Sequence, residues 1–128
     1  MSLQTEFAFT LPRGFVDDAG TLHREGVMRL ATARDEIEPL RDARVKENEA
    51  YLTVIVLSRT MVKLGSLSQV TPKTIEGLFS SDLAYLQDFY TRINFGGVAE
   101  QMAVMEEQQT GQYQEVTPVP LAAAAAGA

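Results

Sequence analysis

The chain contains no cysteine and a single histidine, His23. The first absence removes disulfides, thiol catalysis, iron–sulfur clusters and thiolate zinc sites together. The second removes a His–His metal pair and leaves only carboxylate-rich options. No apolar run approaches the ~20 residues that a membrane-spanning helix needs. The start, Met1 to Glu6, has neither the basic end nor the apolar block of a secretory signal, which predicts a cytoplasmic product. Basic charge is also scarce. The formal net charge is −6, and residues 96–128 hold four acids and no base. That sign, without a basic stripe, argues against nucleic acid and anionic membranes as partners.

What is present, 128 residues with 45% hydrophobic and 22% charged side chains, suits one soluble domain of modest core. Phe7, Phe9 and Leu11 alternate with Glu6, Ala8 and Thr10, the period of a half-buried strand. Pro12 and Gly14 predict a break or bulge, after which Phe15 and Val16 resume the strand. Asp17-Asp18-Ala19-Gly20 supplies turn chemistry, with Gly20 suited to a positive φ. Thr21 to Leu30 reads as the return strand. Its alternation slips near Gly26, which predicts a second bulge there.

Residues 32–47 are dense in charge. Thr32 suits a cap for a short helix from Ala33, and Pro39 forbids a long one. Ile37, Leu40 and Val45 are expected to anchor this connector. Residues 49–64 place Tyr51, Val54, Ile55, Leu57, Met61, Val62 and Leu64 on one arc of a helical wheel. Asn48 as cap and Gly65 as stop support a helix there over a strand. Thr71-Pro72 opens a short helix to Phe79, burying Ile75, Leu78 and Phe79. Ser80 or Ser81 caps another helix over Asp82–Ile93, with Leu83, Leu86, Tyr90 and Ile93 inward and Phe89 beside them. Val98 to Gln108 forms a marginal helix with Val98, Met102 and Met105 in a stripe, a segment suited to ordering on a partner. Residues 109–128, with Pro118, Pro120 and an alanine run, are expected to be disordered. The fold class is therefore α+β: an N-terminal antiparallel β-hairpin or small sheet packed against two or three α-helices. Residues 1–95 form the domain, and 96–128 an acidic tail.

His23 beside Arg24 and Glu25 invites an acid–base reading, but no second base or nucleophile accompanies it, and strand neighbours point to opposite faces. Asp17 and Asp18 lack the oxygen spacing and terminal Glu of a calcium loop, so a turn explains them better. Neither a phosphate-binding loop nor a nucleophile elbow is present. Tyr85 and Phe89, one turn apart and off the main stripe, are the candidates for exposed aromatic anchors. This points away from an enzyme and toward a protein–protein module with no cofactor and no metal. Its candidate partner-binding residues are His23, Arg24, Glu25, Arg29, Tyr85 and Phe89.

Several stretches carry a family resemblance. They are Phe9-Thr-Leu-Pro-Arg-Gly-Phe15, Gly20 through Ala33, Asp35-Glu36-Ile37, Pro39-Leu40-Arg41-Asp42, Tyr51-Leu52-Thr53, Leu57-Ser58-Arg59, Asp82 through Gln87, and Ile93-Asn94. Over residues 5–95 the chain resembles the small tail assembly proteins of contractile phage tails and related contractile injection systems. The resemblance implies a non-enzymatic assembly chaperone or adaptor, cytoplasmic in the producing bacterium. Its implied partners are other tail proteins, the tail tube or tape measure. A structural subunit retained in the particle and a small ligand-binding domain are the alternatives. Homo-oligomerisation stays open.

Overall fold

The computed structural model describes residues 3–96 and 98–110. Strand β1 (Glu6–Val16) and strand β2 (Leu22–Arg29) form an antiparallel hairpin, and β3 (Met61–Leu64) pairs on the far side of β2, so the sheet order is β1-β2-β3. Between β2 and β3 lie α1 (Ala33–Ile37), a 3-10 turn (Glu38–Arg41), α2 (Ala43–Glu47) and α3 (Tyr51–Thr60). After β3 come α4 (Pro72–Glu76), α5 (Ser80–Phe95) and α6 (Val98–Thr110). Among the described residues the architecture is α+β, a three-stranded antiparallel sheet with six α-helices. Among the described residues, no helix is long and apolar enough to cross a membrane.

The hairpin follows its sequence. Phe7, Phe9 and Leu11 are buried on one face, and Gly20 adopts φ +85° in the turn. Asp17 Oδ1 accepts the Ala19 and Thr21 amides at 2.9 Å, closing that turn. The bulge lies on β1. Thr10 pairs with Glu25 and Phe15 with His23, so three extra β1 residues loop out between them. Gly14, at φ +107°, sits in this bulge. The chain is held there by Asp82, fully buried in the first turn of α5, whose two carboxylate oxygens accept the Arg13 and Gly14 amides at 2.9 Å each.

Gly26 plays a different part from the bulge expected of it. It pairs regularly with Phe9, and a side chain there would run into the Phe9 ring and the Lys63 carbonyl. The glycine marks a close approach of three strands.

The helix expected over 49–64 is shorter, and its last turn is strand instead. Gly26 pairs with Leu64, Val27 with Lys63 and Met28 with Met61, leaving Val62 as the extra residue. Two effects override the helical pattern. Thr60, fully buried, bonds its hydroxyl back to the Val56 carbonyl at 3.0 Å, and Arg29 takes the Arg59 carbonyl at 2.9 Å. Pairing with β2 then satisfies the backbone beyond. Gly65, at φ +55°, ends β3 and gives its amide to the Glu25 carbonyl at 2.7 Å. At the other end Asn48 accepts the Ala50 amide through its side chain, and the helix begins two residues later than expected. Thr53 and Val56, outside the apolar arc of the wheel, are buried, and Val62, within it, is exposed. Helix α3 packs against α1, the 3-10 turn, α2, α4 and α5 together, so its buried arc is wider than one stripe.

Three further apolar expectations are corrected. Ile37, Leu40 and Phe79 are exposed, whereas Val45 and Ile75 are buried as expected. In α6 Met102 and Met105 face outward and Val104 is buried. The tail expectation for residues 111–128 lies outside the described residues. The core joins the inner sheet face to α5. Phe9 meets Phe89 edge-on at 5.6 Å between ring centroids, and Phe89 stacks on Tyr85 at 5.9 Å.

Replacing Asp82 by Ala orphans two amides at the bulge. The expected loss is about 3 kcal/mol of unfolding free energy, read by urea denaturation. Asp82→Asn, which keeps one acceptor, should lose less; equal stability of all three proteins would show that the clamp carries no weight.

Candidate partner-binding face

The alternation of β2 decides where its side chains go. Gly26 and Met28 are buried on the inner face, whereas Glu25 and Val27 face outward; His23, before the β1 bulge, is buried out of this alternation. Ala8 pairs with Val27 and Thr10 with Glu25, and Lys63 joins Val27 from β3. These side chains line a shallow outer groove of about 360 Å³, with Phe9 and Gly26 at its floor. Its centre is small and apolar, and Glu25 and Lys63 stand at its margins with opposite charge. A second hollow, about 380 Å³, opens at the hairpin end between Phe15, Val16, Asp17, Leu67, Lys73 and Gly77.

The residues singled out from the sequence separate into three roles. Glu25 is exposed on the outer groove. Arg24 is exposed too, but its guanidinium donates to the Leu11 carbonyl at 3.1 Å and the Pro12 carbonyl at 3.3 Å, bracing the β1 bulge. His23, a candidate for partner binding, is only 4% exposed. The Ser66 amide donates to His23 Nδ1 at 3.2 Å, so the ring proton sits on Nε2, which donates to Asp17 Oδ2 at 2.8 Å. Phe15 stacks on the same ring, and Gly65 leaves room for it. Both imidazole nitrogens thus tie the hairpin turn to the loop after β3. The His23 bond and then the Thr21 amide hold the Asp17 carboxyl below its usual range.

Arg29 turns away from the outer face. It donates to both carboxylate oxygens of Asp35 at 2.7 and 2.9 Å. Arg59 adds a third contact at 3.2 Å and also reaches Glu38 at 3.1 Å. Asp35 further accepts the Thr32 amide at 2.8 Å, starting α1. The Arg29 guanidinium, above all, holds the Asp35 carboxyl far below the usual carboxylate range against the opposing effect of burial. Asp35 was missed in the sequence because one of nine charged residues between positions 32 and 47 looks solvated.

Tyr85 and Phe89 are not exposed anchors. At 3% and 2% exposure they belong to the core, because α5 packs on β1, α3 and α6 at once. Residues missed from the sequence, Ala8, Thr10, Val27 and Lys63, carry no conspicuous chemistry. Only the strand period, applied to both faces, marks the first three. Among the described residues, no group of three or more His, Cys, Asp or Glu side chains is placed to hold a metal ion. Neither protein-family models, nor curated proteins, nor solved structures provide a match to the chain.

The Asp35 pair sets a pH dependence with a definite sign. Its folded value lies below the unfolded one, about 3.9, so its contribution is complete above that pH and is lost as pH falls. Thermal melts should show the parent protein losing stability between pH 4 and 2. Asp35→Asn should start lower at pH 7 and fall less over the same interval. Parallel pH curves would remove Asp35 from the account.

Proposed function

We propose that the chain is a non-enzymatic assembly chaperone or adaptor of a contractile tail-like particle. In this reading it acts in the cytoplasm of the producing bacterium and binds a tail-tube or tape-measure protein through the outer face of its sheet. One observation carries the reading: the face left uncovered by the protein's own helices is built from Ala8, Thr10, Glu25 and Val27. These residues lie in or beside the segments that resemble tail assembly proteins, Phe9–Phe15 and Gly20–Ala33. An apolar centre with opposite charges at its margins suits reversible binding to another protein, because the charges set orientation and the centre supplies desolvation. Cycles of binding and release are what a chaperone of an aggregation-prone tail component requires.

Co-expression with tape-measure and tube proteins tests the proposal. One of them should co-purify, and Val27→Glu should reduce the recovered complex at least tenfold while the melting temperature stays near that of the parent. If nothing co-purifies and particles assemble normally without the chain, the proposal fails. Stoichiometric recovery of the chain in finished particles, by mass spectrometry, would replace the chaperone with a structural subunit.

A further inference from the structure

The seam between α5 and α6 holds more acid than base. Arg92 of α5 donates through Nη1 and Nη2 to Glu107 at 2.8 and 2.9 Å, and through Nε to Glu100 at 2.5 Å. Asp88, one turn earlier on α5, lies 3.8 Å from the same Nη1 that Glu107 bonds. That separation is too long for a hydrogen bond, so Glu107 takes the donor and Asp88 feels only its charge. With every group ionised, three carboxylates and one guanidinium leave the seam at −2.

Asp88 is the least supported member. Its Oδ2 is buried and accepts no hydrogen bond from the protein. A buried carboxylate oxygen without a donor is costly as an anion, and protonation removes that charge. Burial, the largest effect, raises the Asp88 carboxyl above its usual range; Arg92 on its own helix opposes this, and Glu107 and Glu100 from α6 add to it. Strand β1 and helix α3 also pack on α5, but their charged groups are placed elsewhere. Arg13 reaches Ser81, Arg59 reaches Asp35 and Glu38, and Tyr51 bonds Glu76. Glu6 of β1 and Glu106 of α6 are exposed. Neutral contacts hold α6 in the same place: Val104 is buried, and Gln101 donates to the Ile93 carbonyl at 2.7 Å. These do not titrate, so a proton changes how strongly the seam holds and not which elements it joins.

We propose that the α5–α6 seam is a proton-responsive contact, in which Asp88 takes up a proton as pH falls below neutrality and α6 is then held more tightly to α5. Protonation leaves Glu107 and Glu100 as the only anions around Arg92 and halves the excess charge of the seam. The sign is opposite to that of Asp35. Asp88 binds a proton more readily in the folded chain than in the unfolded one, where an aspartate titrates near about 3.9. Stability contributed by this group therefore rises as pH falls toward that value. The Asp35 pair stays intact over the upper part of this range, so the two effects separate in pH. The proposal stands apart from the assembly reading, since it concerns a contact within one chain.

Carbon NMR of the side-chain carboxyls in the full chain tests it directly. The Asp88 carboxyl should titrate clearly above about 3.9. Glu107→Gln removes the acid that acts on it most strongly and should bring its midpoint down. In thermal melts, Asp88→Asn should exceed the parent at pH 7, and the gap should close as pH falls to 4.5. Hydrogen exchange locates the effect. Between the same two pH values, the α6 amides of the parent should gain about threefold or more in protection factor, and those of Asp88→Asn should not. An Asp88 midpoint at or below about 3.9 would overturn the proposal. So would an Asp88→Asn protein that melts below the parent at pH 7, or α6 protection that changes equally in both proteins. No tail protein enters these measurements, so their failure leaves the co-purification result standing, and the converse also holds.

Discussion

The clamp between Asp82 and the β1 bulge sets the relation between sheet and helices. Three extra residues on β1 lose their partners on β2, and amides so released cannot stay buried without acceptors. The first turn of α5 supplies both acceptors from one carboxylate. A negative group is also favoured there by the helix dipole. With the start of α5 pinned to Arg13 and Gly14, its next turns bring Tyr85 and Phe89 onto Phe9. The inner face of the sheet is thereby committed to the core, and the outer face is left to solvent.

Two ionic hubs differ in their balance of charge. At Asp35, one carboxylate meets two guanidinium groups and a backbone amide, and Arg29 Nη1 and Nη2 also donate to the Leu30 and Arg59 carbonyls. This joins β2, α1 and α3, and every group in it has a partner of opposite character. At Arg92 the ratio is inverted, with three carboxylates competing for one base. Removing one partner of the first hub strands a buried charge. Removing one acid from the second relieves repulsion. The same residue types therefore make one contact in which the charges match and another in which acid is in excess.

The sequence made some of this legible and hid the rest for identifiable reasons. The hairpin was readable because period-two burial at Phe7, Phe9 and Leu11 is a local property, as is the need for glycine at position 20. Strand β3 was not, because Met61 to Leu64 fits a helical wheel and only its distant partner β2 makes it a strand. Of the residues expected in the charge block at 21–29, Glu25 lines the open outer groove, while His23 and Arg29 turn to other contacts. His23 is buried by the stacking of Phe15 and by two specific bonds, none of which leaves a sequence pattern. The inert-looking Ala8 and Val27 instead form the open face. Tyr85 and Phe89 were misplaced because a single-stripe wheel underestimates a helix covered on several sides. In the connector, apolar Ile37 and Leu40 were expected to be anchors, yet acidic Asp35 is one. Burial of a charge is decided by partners distant in sequence, such as Arg59, 24 residues after Asp35.

The two edges of the sheet bear on how a partner would approach. An edge strand is an open template for pairing, and proteins blunt such edges with bulges, short strands and lysines. Here β3 is four residues long, contains the irregular Val62 and carries Lys63. On β1, the Arg13 and Gly14 amides are already taken by Asp82, and α5 and α6 pack against the strand. Strand addition is therefore disfavoured at both edges. The outward residues of the central strand β2 are flanked on both sides and held rigid from beneath, which makes the face the better platform. A partner that binds there meets Glu25, Val27 and Lys63 without disturbing the ladder, and it can leave again without unfolding anything.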